Sequence, residues 1–164
     1  MGHIPILTIA VPTFNMEWCL GKNLATYQNE ALCDRLEVLC LNNNSQDGSR
    51  MIMKRFEKEC PRIFKVVDRA GRGYGGSVNE AIAMARGRYF RIVDADDWVD
   101  TQELIKLVNA LECCCADVVF TDYQTVDLTS DAMTPVQAAD KGVAYNRKLC
   151  DFDFPMRTLP SIHA

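Results

Sequence analysis

Apolar residues in this chain fall into short unbroken runs, separated by stretches with helical spacing. Ile4 to Val11 is nearly continuous and closed by Pro12, the pattern of a strand buried on both faces. Leu36 to Leu41 repeats it and stops in the polar cluster Asn42, Asn43, Asn44, Ser45. Phe64 to Val67 and Tyr89 to Val93 predict two further strands, and Asp117 to Thr121 a fifth. Between them, Ile52, Phe56 and Cys60 recur every fourth residue, as do Val78 and Ile82. Leu104, Leu107, Val108 and Leu111 form an amphipathic stripe, with Asp100 placed to cap that helix. Strand alternating with helix predicts an α/β fold: a mostly parallel central sheet with helices on both faces. Ligands of such sheets bind beyond the carboxyl ends of the strands. After Tyr123 the periodicity fades.

Composition narrows the function classes. At 164 residues the chain suits one domain with a real core. A net charge of −4 argues against a surface built to neutralise nucleic-acid phosphates. No apolar run is long enough to span a bilayer and no signal-peptide pattern opens the chain, so a cytoplasmic location is expected. The cysteines are scattered, and the Cys113-Cys114-Cys115 run lacks the spacing that wraps a zinc ion. They are expected to be free, mostly buried thiols.

Three polar segments fall at strand ends. The first, Pro12-Thr13-Phe14-Asn15-Met16-Glu17, follows strand one. The second, Asn42 to Ser49, follows strand two, where Asp47 or Ser49 could equally well cap the next helix. The third, Asp94-Ala95-Asp96-Asp97 with Asp100 close behind, gathers four carboxylates, with Arg91 the nearest cation in sequence. Like charges that close destabilise the loop unless a cation joins them. Mg²⁺ and Mn²⁺ suit such a place, taking one or two carboxylates and completing their shell with substrate phosphates.

A competing pattern is Gly71-Arg72-Gly73-Tyr74-Gly75-Gly76, which matches the dinucleotide fingerprint with Asp94 downstream and makes an NAD-dependent oxidoreductase the alternative. That fingerprint normally follows the first strand of its unit, and a ribose contact needs one acid rather than a cluster. A phospho-receiver module would want its acidic pair after the first strand, where this chain has Pro12-Thr13-Phe14-Asn15.

Taken in order, these segments resemble the family 2 glycosyltransferases. Pro12-Thr13-Phe14-Asn15 with Glu17 is similar to the family's P-[ST]-[YF]-N-x-E opening, and Leu41 to Ser49 to its V-D-D-G-S-T-D-G-S loop. Gly73, Asn79 and Ala85-Arg86-Gly87-Arg88-Tyr89 mirror its glycine loop, helix and A-x-G-x-Y stretch, and Asp94-Ala95-Asp96-Asp97 its D-x-D-D motif.

The resemblance implies a Rossmann-like GT-A domain that inverts the transferred sugar and uses nucleotide-diphosphate sugars, with a UDP-sugar expected. It places Pro12, Thr13, Asn15 and Glu17 at the nucleoside, Asn42 and Asn43 near the base, and Arg72 or Arg69 as a cation for base or phosphates. Asn79 would stand on the helix behind the glycine loop, Asp94 and Ala95 at the ribose, and Asp96, with Asp94, would bind Mn²⁺ or Mg²⁺. Asn42 replaces the first acid of its loop and is expected to loosen base selectivity. Residues 1–123 would be the nucleotide-sugar-binding core and 124–164 the incomplete start of the acceptor-side region. The general base is then expected beyond residue 164, leaving a fragment that binds donor without transferring it. The acceptor would be a saccharide or lipid-linked, and the full-length protein would meet the inner face of the membrane.

Overall fold

The computed structural model describes residues 4–71, 73–127, 129–130 and 132–137. They fall into two units, divided between Cys114 and Cys115.

In the first unit the order is β1 (Leu7–Thr13), α1 (Glu17–Ala25), a 3₁₀ turn (Glu30–Leu32), β2 (Leu36–Asn42), α2 (Ser49–Glu59), β3 (Phe64–Asp68), α3 (Tyr74–Met84), β4 (Tyr89–Ile92) and α4 (Thr101–Cys113). The strands form one parallel sheet in the order β3-β2-β1-β4. β1 and β2 are buried along their whole length, which is why they read as continuous apolar runs.

Alternate strand residues serve different layers. Leu7, Ile9, Val11, Val38 and Cys40 pack with Leu20 and Leu24 of α1, Met53 and Phe56 of α2, and Leu104, Val108 and Leu111 of α4. Ala10, Leu39 and Leu41 turn to the other face and meet Ala81 of α3. Helices thus cover both faces, three on one and one on the other. Each fully buried Leu, Ile or Phe contributes about 1.5–3 kcal/mol, so the first layer carries most of the stability. Asp100 caps α4 as expected, its side chain accepting from the Glu103 N–H at 2.9 Å.

A polar knot closes the opposite, amino edge of the sheet. Glu37 is 3% exposed and accepts from Thr8 Oγ1, the Arg86 N–H and Arg86 Nε. Thr8 Oγ1 in turn accepts from the Gly87 N–H. A methyl group on Gly87 would stand 2.5 Å from the Thr8 nitrogen and 2.7 Å from the Leu7 carbonyl carbon, so only glycine admits this approach. The Ala85 to Tyr89 stretch is therefore a structural clasp, at the end of the sheet opposite the carboxyl ends of the strands.

Three expectations need correcting. Asp117 to Thr121 forms no strand; Val118, Val119 and Phe120 stay exposed. A short apolar run reads as a buried strand only if a partner strand takes its hydrogen bonds, and among the described residues none does. The second unit pairs β5 (Tyr123–Val126) with β6 (Met133–Val136), antiparallel. In α3 the inward positions are Ser77 and Ala81 rather than Val78 and Ile82, the latter being exposed. The described cysteines are free thiols, but only Cys40 is fully buried, and Cys113 and Cys115 are exposed. No helix among the described residues is long and apolar enough to cross a membrane.

Candidate functional site

All four strands point the same way, so Thr13, Asn42 and Asp68 stand side by side at the carboxyl edge, in register. β4 ends beside them and delivers Asp94 to Asp97. A cleft of about 420 Å³ opens at this edge, a size that suits a small-molecule ligand. Pro12, Thr13, Asn43, Asp94, Ala95 and Asp96, all singled out from the sequence, line it. Phe14, Met16, Gly73 and Tyr74 complete the wall.

Other expected site residues hold the edge together. Asn15, at φ 54°, accepts from the Gln46 N–H while its own N–H donates to Ser45 Oγ. The Met16 N–H donates to Ser49 Oγ, and the Glu17 N–H to Asp47 Oδ2. Glu17 Oε2 reaches back to the Gly48 N–H at 2.8 Å. Asp47 Oδ1 also takes the Ser49 N–H, so one carboxylate serves the first turns of both α1 and α2. Desolvation pulls the Asp47 carboxyl up, but the bonds from Ser49 and Glu17 outweigh it and hold it below the usual range.

Asn42 is 4% exposed, and both ends of its amide are occupied. Its Nδ2 donates to Asp68 Oδ1 at 2.9 Å and its Oδ1 accepts from the Ser45 N–H. Arg50 grips the same Asp68 through both Nε and Nη2. Asn79 lies on α3, exposed, and Arg72 lies outside the described residues.

The glycine run follows β3 at the edge of the sheet, not the first strand. Gly73 has φ 132°, a conformation that side chains rarely adopt, and it turns the chain into α3. Arg69 fixes that turn: its Nε meets Glu80, and its Nη1 reaches Asn43 Oδ1, Ser77 Oγ and the Gly73 carbonyl. Arg69 is thus committed to the wall behind Gly73.

The acidic loop brings Asp94, Asp96 and Asp97 together after β4. Asp97 is pushed up by desolvation and then by Asp96 and Asp94, with Arg91 pulling the other way. Tyr74 donates its hydroxyl to Asp94 Oδ1 at 2.9 Å. Desolvation and the Asp94 charge push that phenol up to about 12. Asp96 accepts no hydrogen bond from the described residues. Among those residues no three His, Cys, Asp or Glu side chains converge on one point. Two carboxylates facing one cleft are nonetheless the donor set that Mg²⁺ or Mn²⁺ takes when phosphates and water supply the remaining ligands. The residues fit such an ion.

Asn23 was not foreseen. It is 1% exposed, and its Nδ2 donates to the carbonyls of both Asp94 and Asp97, at 3.0 and 2.8 Å. The signal was in the sequence: Leu20, Asn23, Leu24 and Tyr27 form an apolar stripe with one asparagine inside it.

Comparisons with known proteins agree with this architecture. The model of glycosyl transferase family 2 matches residues 8–159. The glycosyltransferase EpsJ of Bacillus subtilis (strain 168) is 30% identical over 116 residues, 71% of this chain and 33% of that protein. The poly(ribitol-phosphate) beta-glucosyltransferase of Bacillus spizizenii is 27% identical over 106 residues, 63% of this chain and 17% of that one. Among solved structures, the mannosyltransferase PcManGT of Pyrobaculum calidifontis, in complex with GDP-Man and Mn²⁺, superposes with a TM-score of 0.59 at 27% identity, over 70% of this chain and 34% of that one. TarS of S. aureus, in complex with UDP-GlcNAc, shares the fold with a TM-score of 0.57 at 22% identity, over 65% of this chain and 31% of that one. The chain spans about a third or less of the length of these proteins.

Proposed function

The chain belongs to glycosyl transferase family 2, and from that premise we propose that its carboxyl-edge cleft binds a nucleoside-diphosphate sugar with a divalent cation. The observation that carries the proposal is the placement of Asp94 and Asp96 on one wall, with Thr13 and Asn43 on the cleft's other borders. Pro12, Thr13, Phe14 and Asn43, which line the cleft, would border the nucleoside, and Asp94 with Ala95 the ribose. Asp96 would hold Mn²⁺ or Mg²⁺, assisted by Asp94. When bound, the ion stabilises negative charge on the departing diphosphate. PcManGT, solved with GDP-Man and Mn²⁺, supports both the donor class and the metal.

Asn15, Glu17 and Asn42 serve the donor indirectly, by holding the two loops that frame it. Base recognition then falls to the cleft-lining residues, with uridine and guanosine donors the first to compare.

In the transfer, the acceptor hydroxyl oxygen forms a bond to the anomeric carbon, with inversion, as that carbon's bond to the diphosphate oxygen breaks. The nucleoside diphosphate departs, and the hydroxyl proton must go to a carboxylate. Only Asp94 and Asp96 are acidic among the cleft-lining residues, and both would serve the donor and its cation. The acceptor would be a saccharide or lipid-linked saccharide, and its base a carboxylate outside the set that lines this cleft. Calorimetry with UDP, UDP-sugars, GDP-sugars and NAD⁺, each with and without Mn²⁺, tests this reading. Metal-enhanced binding of a nucleoside diphosphate supports it; binding of NAD⁺ alone contradicts it.

A further inference from the structure

One face of α1 is given over to the acidic loop. Cys19, Lys22, Asn23 and Thr26 recur at the helical spacing of a single stripe. Cys19 Sγ donates to the Ala95 carbonyl at 3.5 Å, and Asn23 Nδ2 to the carbonyls of Asp94 and Asp97. The Lys22 ammonium lies 3.2 Å from the centre of the Trp98 ring. The Thr26 carbonyl accepts from Thr101 Oγ1 at 2.8 Å. Of these residues only Asn23 is fully buried, and it alone ties the two ends of the Asp94–Asp97 turn, which the Asp97 N–H closes on the Asp94 carbonyl.

We infer that Asn23 is a positioning residue for the cation and diphosphate: it holds the loop's carbonyls against α1, so that the Asp94 and Asp96 carboxylates face the cleft. The inference rests on the nucleotide-sugar reading above. Its physical basis is a conflict between charges and backbone. Asp94, Asp96 and Asp97 crowd three like charges into four residues, and the loop would relax by turning a carboxylate away from the others. Turning it would strip a carbonyl from the Asn23 amide and leave buried polar groups unpaired, which is expensive. The asparagine therefore maintains a crowded acidic arrangement that becomes favourable only when a cation arrives. Alanine at this position removes both bonds at once. Serine keeps a single, shorter donor.

The test is calorimetric titration of UDP into the wild-type chain, Asn23→Ala and Asn23→Ser, each with and without Mn²⁺, alongside thermal melts. The diagnostic quantity is the ratio of the two affinities, because a general loss of structure lowers both together. Removing a group that orients metal ligands costs about 10- to 100-fold in metal affinity. Asn23→Ala should accordingly lose about that factor from the Mn²⁺-dependent gain while metal-free UDP binding is kept, and Asn23→Ser should fall between. Met53→Ala, a core truncation in α2 away from the loop, should lower the melting temperature and leave the ratio unchanged. An undiminished Mn²⁺ gain in both Asn23 variants overturns the inference. So does equal loss of metal-free and metal-bound affinity in a variant that still melts cooperatively. Absence of any Mn²⁺ gain in the wild-type chain instead overturns the functional reading beneath it.

Discussion

The amide of Asn42 and the carboxylate of Asp68 meet at 2.9 Å across β2 and β3, with Asn42 as the donor. Hydrogen bonds from Arg50 and Asn42 hold Asp68 below the usual carboxylate range. An aspartate at 42 would replace the donor with a second negative charge at the same distance.

Asn42→Asp should therefore destabilise the fold at neutral pH by about 1–3 kcal/mol, through a lost bond and a like-charge contact. The apposed pair would titrate above the ordinary range, so the penalty should shrink as the pH falls below about 5. Denaturant melts at pH 7 and pH 4.5 check the sign. Because residue 42 is buried, the relative affinity for UDP and CDP should hardly change.

Gly87→Ala tests the clasp at the opposite edge. The added methyl would press on Leu7 and Thr8 main chain rather than on a side chain able to swing aside. Overpacking of that kind costs about 1–3 kcal/mol, here with nothing flexible to absorb it. A thermal melt should show a large drop, whereas Gly21→Ala, with open space around it, should not.

The same clasp predicts an acid limb. Desolvation raises Glu37, but the hydrogen bonds from Arg86 and Thr8 outweigh it, and the net shift is downward. Its stabilising contribution is therefore complete above the unfolded-state value of about 4.3 and is lost as the pH falls from there through the lower folded value. Glu37→Gln should flatten stability against pH in that window, measured by denaturant melts between pH 3 and 6.

Much of this was legible in the sequence, and each exception has its own physical cause. Continuous apolar runs fixed β1 and β2 because both faces of those strands are covered, and crowded carboxylates after β4 could hardly be a neutral turn. Strand 117–121 misled because hydrophobicity reports burial and not the presence of a hydrogen-bonding neighbour. Val78 and Ile82 misled because α3 lies close against the sheet, where small Ser77 and Ala81 fit and larger side chains do not. Asn15, Glu17 and Asn42 could be recognised as motif residues, but the bonds they make between loops could not, because each joins residues 26 to 31 positions apart.

Asp47 takes the Glu17 N–H while the Glu17 carboxylate takes the Gly48 N–H, two bonds between the same pair of loops, so the effects of losing them should not add. Each alanine variant should cost about 1 kcal/mol, and the double variant clearly less than the sum. A double-mutant cycle in urea measures the coupling; full additivity would mean the two bonds act independently.

The proposed site turns on Asp96, which would anchor a cation that joins the diphosphate to the protein. It is tested most directly by calorimetric titration of UDP into wild-type chain and Asp96→Ala, with and without Mn²⁺. Mn²⁺ should tighten UDP binding to the wild-type chain about tenfold or more, and the variant should retain the weak metal-free affinity but show no metal enhancement. An Asp96→Ala chain in which Mn²⁺ strengthens UDP binding as much as in the wild type would contradict it.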